Sequence, residues 1–483
     1  MIRATSRWRY VAVGLAVALP ATLLASGAGV APPAEPGEHI DLYQDGVALT
    51  ADGTLLQVPP GGGVTYLDGS RVLDPDALDP ALFAAGIEWG DDDGTRLAHV
   101  AGPTTRTTTL ADADAAHDAA RASQDWLAEG ETPGRGGGFE ELGVSALLDM
   151  HALTLPNGAS LAAPSPYWRY VWPRDSSFVA AAYARTGHVE DAVRVLTFLQ
   201  EVQEDDGSFH ARYLPDGSGV PDDRGLQSDG NGWALWSVGV LLDEIGDPAR
   251  RDAVARGLAP LLDASTDHVL DLVDTPSGLP PVSSDYWEVD EEVLTLGTAA
   301  PLLAGLEAAA ALYPTVDWRS PTAELRAADR AARARVAAQR LRSAVEATFG
   351  PEYSRHATGG PQDAATAFVL PPFQPEALAG APEAWTASAT PMLRPAGGLA
   401  PGAGWREDGI SWTPQTSLYA LAAASNGHPE IAGAALHWLE EHRTTSGALP
   451  EKVLADGSPA AVAPLAWTSA VVVLTLVELD AAR

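Results

Sequence analysis

The chain has no cysteine, which excludes disulfides, thiolate metal sites, a cysteine nucleophile and cysteine-linked lipid anchors. Lysine is nearly absent too: among 30 basic residues only Lys452 is a lysine. Positive charge is scarce as a whole, because 64 acidic residues leave a net charge of −34. That balance argues against nucleic acid and anionic membrane surfaces as partners and favours solubility, without naming a substrate. Several motifs are missing as well. There is no Gly-Xaa-Ser-Xaa-Gly elbow, no phosphate loop and no dinucleotide fingerprint, and the 11 histidines are scattered rather than set at ligand spacing. The expectation is therefore an enzyme or binding protein with no cofactor and no metal.

What is present is the composition of a folded protein: 483 residues, 46% hydrophobic, with 14 tryptophans. The length accommodates two or three domains, or one large repeat-built domain with an extension. At the N-terminus Arg3, Arg7 and Arg9 precede an apolar run over residues 11–24 and the small residues Ala25-Ser26-Gly27-Ala28. This is the order of a secretory signal. Weakly apolar residues continue to Val30, so an uncleaved anchor is the alternative, and it would be the chain's one membrane contact. Residues 1–31 thus form a signal or anchor, and an extracytoplasmic or secreted location is expected. Residues 32–135 read as a small β-containing segment with a linker, from short alternating runs between turns such as Asp52-Gly53, Gly61-Gly62-Gly63 and Asp68-Gly69. A helix is expected over 111–127.

From residue 136 onward the pattern is helix after helix, at 139–153, 176–186, 189–203, 229–245, 249–270, 289–312, 321–348, 365–379, 382–393, 411–425, 429–443 and 465–481. Several of these are apolar all round and should be buried on every side. An internal repeat runs through them at a constant offset of 240. Gly187-His188 matches Gly427-His428, and Leu199, Gly207 and Asp216-Gly217 match Leu439, Gly447 and Asp456-Gly457. The repeated unit is a helical hairpin followed by a long loop. About twelve helices in such hairpins predict an all-α toroid, an (α/α)6 barrel over residues 136–483, with its long loops gathered at one end.

Chemistry concentrates in three places. Tyr167-Trp168-Arg169-Tyr170-Val171-Trp172-Pro173-Arg174-Asp175 packs aromatic faces beside an Arg/Asp pair, which suits a sugar ring stacked on indole with its hydroxyls held by charge. Asp175 also reads as a plain helix N-cap after Pro173. In Ser283-Ser284-Asp285-Tyr286-Trp287-Glu288-Val289, Trp287 offers an apolar wall of the kind that keeps a carboxyl protonated. Position alone does not rank Glu288 against Glu291 and Glu292, which would also suit the first turn of a helix at 289. Finally, the first repeat has His210-Ala211-Arg212 where the second has Pro450-Glu451-Lys452. An acid stands where the twin loop has alanine, beside a cation that favours its ionised form. Two carboxylates, one acid and one base, with aromatic platforms between them, constitute a glycoside-hydrolysis site.

Tyr170-Val171-Trp172-Pro173-Arg174-Asp175, Asp285-Tyr286-Trp287-Glu288-Val289, Leu449-Pro450-Glu451 and Pro464-Leu465-Ala466-Trp467 resemble, in order, the motifs of the glucoamylase-like hydrolases of glycoside hydrolase family 15. The resemblance implies an inverting exo-acting α-glucosidase that releases β-D-glucose from non-reducing ends. It assigns Glu288 as general acid and Glu451 as general base. It also implies substrate binding by Tyr170, Trp172, Arg174, Asp175, Trp287, Arg406 and Trp467, with an oligosaccharide or α-glucoside as the substrate. Lys452 stands where the family commonly has Gln. With a small N-terminal segment and no starch-binding module after the barrel, short α-glucosides are expected rather than raw starch. A trehalose-type hydrolase and a non-catalytic glycan-binding barrel are the alternatives. A triterpene-cyclase-like toroid, prompted by Gln203 to Phe209 and Gln227 to Trp233, lacks the required Asp-rich acid motif.

Overall fold

The computed structural model describes residues 42–77 and 113–483. The signal or anchor at 1–31 lies outside the described residues, as do the first part of the β-containing segment and residues 78–112. In chain order the helical framework is built as follows. After the hairpin of β1 (Gly46–Leu49) and β2 (Leu55–Val58) come α1 (Ala113–Glu129), α2 (Glu140–Leu153), α3 (Pro173–Arg185) and α4 (Val189–Val202). Next are α5 (Asp229–Glu244), α6 (Pro248–Gly257), α7 (Ala259–Val273), α8 (Leu296–Leu312) and α9 (Pro321–Phe349). A 3₁₀ helix (Ala364–Val369), α10 (Ala381–Met392), α11 (Thr413–Ser425), α12 (Pro429–Glu441) and α13 (Ala466–Ala481) complete it. Short strands β3 (Ser411–Trp412), β4 (Lys452–Val453) and β5 (Pro459–Ala460) pair antiparallel in that order.

Among the described residues α3, α5, α8, the 3₁₀ helix, α11 and α13 each pack on the next, and α13 packs back on α3. The ring is closed, as the all-round apolar helices require. Every residue of α11's first twelve is buried, and so is nearly all of α8 and α13. Outside this ring α4, α7, α9, α10, α12 and α2 lie against the inner members. The hairpin pairs therefore form an (α/α)6 barrel that starts on an outer helix, α2, and ends on an inner one, α13. Its interior is plugged by a cluster of rings: Phe178 lies 5.0 Å from Trp233, which lies 4.8 Å from Phe368 and 5.5 Å from Phe373. Truncating such a buried ring costs about 3–5 kcal/mol. The α5–α8 crossing is close because both helices present glycine. A Cβ on Gly232 would meet the Pro301 carbonyl oxygen at 2.1 Å.

Three sequence expectations need correction. The helix expected at 289–312 begins only at Leu296, where the Thr295 side chain caps the Thr298 amide at 3.2 Å. Residues 288–295 are loop. The helix expected at 249–270 is two, broken at Leu258, because Pro260 starts a new first turn rather than continuing the old one. The helix expected at 365–379 is a single 3₁₀ stretch ended before Pro371 and Pro372, which cannot donate to a helical ladder.

The small β-hairpin turns at Asp52-Gly53 as expected, with Gly53 at φ 78°. It is riveted to the barrel. Arg71 makes a buried ion pair with Asp149 of α2 at 2.5 Å and reaches the Ser145 carbonyl at 3.0 Å. Gln57 Nε2 donates to the Pro164 carbonyl at 2.8 Å, and Ser165 Oγ donates to the Leu42 carbonyl at 3.2 Å. The hairpin therefore braces the loop that leads into Tyr167 and Trp168.

Candidate active site

The inner members begin at one common site. Arg174 and Asp175 occupy the first turn of α3, Asp229 that of α5 and Trp467 that of α13. Glu288 precedes α8, Asp363 precedes the 3₁₀ helix, Trp412 precedes α11, and Glu451 precedes α13. Side chains that are far apart in sequence thus meet at the positive ends of converging helices, which favour negative charge.

Arg174 is the hub, with 4% of its surface exposed. Its guanidinium lies 3.2 Å from Asp175, 3.3 Å from Asp229, 3.4 Å from Gln227 Oε1 and 3.5 Å from Glu288, and 5.0 Å above the Trp467 ring. Burial pushes the Asp175 carboxyl up to about 7 against the pull of Arg174, and the neighbouring Glu288 charge adds to the rise. Burial likewise raises Asp229 to about 6, again opposed by Arg174. Asp175 is thus part of a charge network and not an N-cap, a position that Trp172 holds.

Glu288 sits on a loop pinned by Asp285, which is fully buried. The Asp285 carboxylate accepts from the Trp287 amide and from Arg355, both at 2.9 Å. Its carbonyl accepts from the Glu288 amide at 2.8 Å and from Gln227 at 2.5 Å. The loop holds Glu288 at φ 53°, a left-handed conformation that costs a non-glycine residue roughly 1–2 kcal/mol. Such strain is retained where the surroundings over-determine it. It aims one carboxylate oxygen at Trp172 Nε1, which donates at 2.5 Å, and the other at Arg224. The three glutamates now separate. Glu291 is bound by Arg355 at 2.6 Å and His356 at 3.1 Å, while Glu292 is exposed. Only Glu288 reaches the Trp172–Arg174 cluster.

Glu451, 8% exposed, is held by its backbone: its amide donates to Val462 and its carbonyl accepts from Thr413. Lys452 Nζ lies 3.4 Å from its Oε2. The adjacent cation does favour the ionised form, yet burial outweighs it and raises the Glu451 carboxyl above its ordinary value, helped by the charge of Glu288. A base tuned upward is a stronger proton acceptor. The two carboxyls are therefore near enough to sense one another.

Two buried polar atoms at this end, Asp229 Oδ1 and Trp467 Nε1, have no hydrogen-bond partner. Each such atom costs about 1–3 kcal/mol. One is an acceptor and the other a donor, both of which a hydroxyl can satisfy.

Of the nine residues named from sequence, Arg174, Asp175, Trp172, Trp467 and Glu288 touch one another. The Tyr170 ring lies 6.3 Å from that of Trp172, tilted by 57°. Trp287 is half-buried, with the Arg355 guanidinium 3.7 Å over its ring. Arg406 is exposed and lies 5.5 Å over Trp405, whose ring meets Trp287 edge-on at 4.7 Å, so it stands one ring removed from the cluster. Sequence reading missed Gln227, Asp229, Asp285, Arg355 and Arg224 as members. Asp229 and Gln227 did stand in a conspicuous Gln-Ser-Asp-Gly-Asn-Gly-Trp run, there read as a turn. Arg355 carries no local signal. Among the described residues no three His, Asp or Glu side chains form a metal-binding group; Asp285, Glu291 and Asp363 gather, but round Arg355.

Comparison with known proteins agrees with the architecture. No family model matches the chain. A segment of 104 residues is 34% identical to an uncharacterized glycosyl hydrolase of Methanocaldococcus jannaschii, over 21% of this chain and 17% of that protein's length. Among solved structures, a glycosidase, one variant of which is in complex with glucose, is 24% identical and matches with TM-score 0.57 over 70% of this chain and 96% of that one. A bacterial glucoamylase complexed with acarbose is 15% identical, with TM-score 0.58 over 76% of this chain and 59% of that one. The family 15 glucoamylase of Hypocrea jecorina is 13% identical, with TM-score 0.56 over 74% and 72%. At these identities the likeness establishes the fold: the six-hairpin toroid of the glucoamylases.

Proposed function

We propose that this protein is a glycoside hydrolase of glucoamylase type, an inverting exo-acting α-glucosidase that releases β-D-glucose from short α-glucosides. The observation that carries the reading is the cluster in which Glu288 meets Trp172 and Arg174, with a second buried carboxyl, Glu451, whose proton affinity the charge of Glu288 helps to raise. The neighbours' ligands, glucose and acarbose, are of the matching class. Export, drawn from the order of residues 1–31, places the reaction outside the cytoplasm.

In the reaction Glu288 protonates the glycosidic oxygen as the bond to C1 breaks. Glu451 takes a proton from a water that attacks C1 on the opposite face, and the new C1–O bond has inverted configuration. Inversion requires about 6.5–9.5 Å between the carboxyls, room for that water. Arg174, Asp175 and Asp229 bind and orient the terminal sugar hydroxyls, and Trp467 and Trp172 wall the ring. Proton NMR on maltose, maltotriose, isomaltose and trehalose tests this through the anomeric signals. Early β-glucose is expected, and Glu288→Gln should slow its release by about 10²–10⁴-fold. Early α-glucose, or full activity of that variant, would overturn the reading.

A further inference from the structure

One contact does not fit a general acid at rest. The outer oxygen of Glu288 is occupied by Arg224 Nη1, in an ion pair on the side facing away from Arg174. A carboxylate clasped by a guanidinium accepts hydrogen bonds and has no proton to deliver from that oxygen. For Glu288 to act on a glycosidic oxygen, Arg224 must move off it.

Arg224 is built to move. It is 38% exposed and is followed by Gly225 at φ 81°, in a loop that also holds Gly217 and Gly219 at positive φ. Its second partner, Asp222, lies 3.3 Å from Nε. Asp222 is already committed, because it accepts from both Nε and Nη2 of Arg212. Arg212 in turn is buried against Tyr170 and Trp172, at 4.5 and 5.0 Å from their rings. Asp222 therefore stays when Arg224 swings, and one carboxylate shared between two guanidiniums leaves Arg224 short of a counter-charge. The position it then occupies is the leaving-group side of Glu288, since the sugar being released lies on the Arg174 side.

We infer that Arg224 is a specificity-determining residue and that the preferred aglycone carries an anion, a carboxylate or a phosphate, which takes the guanidinium from Glu288 as the substrate binds. This rests on the glycosidase reading above. The anion makes the charge-assisted bond that Glu288 gives up, and the freed Glu288 carboxylate takes from solvent the proton that it then delivers to the glycosidic oxygen. A neutral aglycone has nothing to exchange and must break the ion pair uncompensated.

The test uses two α-glucosides that differ only in aglycone charge, that of glyceric acid and that of glycerol, with the full chain and with Arg224→Gln and Arg224→Lys. The wild type is expected to favour the anionic glucoside by about tenfold or more in kcat/KM, through one charge-assisted contact. Arg224→Gln should abolish the preference, Arg224→Lys should keep part of it, and salt should erode it in the wild type. The glucoside of glycerol phosphate, assayed alongside, assigns the anion as phosphate if its Arg224-dependent preference is the larger, and as carboxylate if it is not. Equal rates on charged and neutral glucosides, or a preference that survives Arg224→Gln, would overturn the inference while leaving a working glycosidase. Release of glucose from none of them would overturn both.

Discussion

The chain pairs Val171 with Tyr213, and 240 residues later it pairs Ser411 with Val453 in the same way. Between those pairs each copy runs an inner helix, a turn at a left-handed glycine (Gly187, Gly427), an outer helix and a return loop, and just beyond them it turns on Asp216-Gly217 or Asp456-Gly457. Even the surroundings of the entrance tryptophan repeat. Arg212 lies 5.0 Å over Trp172, and Lys452 lies 4.2 Å over Trp412. What differs is the residue beside the cation, Ala211 in one copy and Glu451 in the other, and the two residues after the tryptophan's neighbour, Arg174-Asp175 against Pro414-Gln415. In the proposed reaction one scaffold would hold the sugar with the first copy's helix start and activate water with the second copy's loop. Lys452 keeps the place that Arg212 has in the twin loop, so its presence beside the base needs no functional reason.

Making the copies alike should remove the function and keep the fold. Glu451→Ala reproduces Ala211 and is expected to lower kcat by about 10²–10⁴-fold, read by glucose release. The thermal midpoint should hold or rise, because a buried carboxyl is lost. Full turnover in this variant would mean that Glu451 is not the base. Arg174→Met acts on the other copy and is expected to damage both properties. Removing one partner from a buried ion network leaves Asp175 and Asp229 uncompensated, at about 3–5 kcal/mol of stability. A chemical melt and the KM for maltose measure it, and an unchanged melt would show that the network is not cohesive.

Lys452 gives a smaller and more pointed effect. It opposes the burial that raises Glu451, so Lys452→Met should move the acid limb of the kcat/KM profile to higher pH, by about one unit or less for one partly exposed ion pair. Lys452→Arg, which copies the twin loop, should leave the limb in place. A limb that moves down in Lys452→Met would contradict the assignment of that limb to Glu451.

How much of this was legible follows from where each signal resides. The toroid could be read because a 3.6-residue apolar pattern and a gapless 240-residue offset are local or periodic. Glu288, Glu451 and the Arg174-Asp175 pair could be singled out because each lies in a compact motif. Arg355 could not: its three carboxylate partners, Asp285, Glu291 and Asp363, come from two separate loops, and only folding joins them. Nor could the start of α8 be read. Glu288, Glu291 and Glu292 look like first-turn acids until Asp285 and Arg355 pull the segment into a loop. Arg406 comes from a motif match alone, and the arginine that packs on Trp287 is Arg355.

The smallest effect concerns the turn itself. His188 in the first copy stacks on Trp126 of α1 at 4.1 Å, and His428 in the second stacks on Trp385 at 5.8 Å. His188 is buried and His428 is exposed. Across the same Trp126 ring lies His151, 4.0 Å away. Burial lowers the His188 imidazole below its ordinary value, and lowers His151 to about 4. A folded-state value below the unfolded one means that the unfolded chain binds protons more readily. The contribution to stability is therefore full above about pH 6.5 and is lost as pH falls from there toward 4. Replacing His188 by Gln, neutral at every pH, should flatten the fall of the thermal midpoint between pH 6.5 and 4.5, and His151→Gln should flatten it further. A fall as steep as the wild type's in both variants would show that the two buried imidazoles do not drive it.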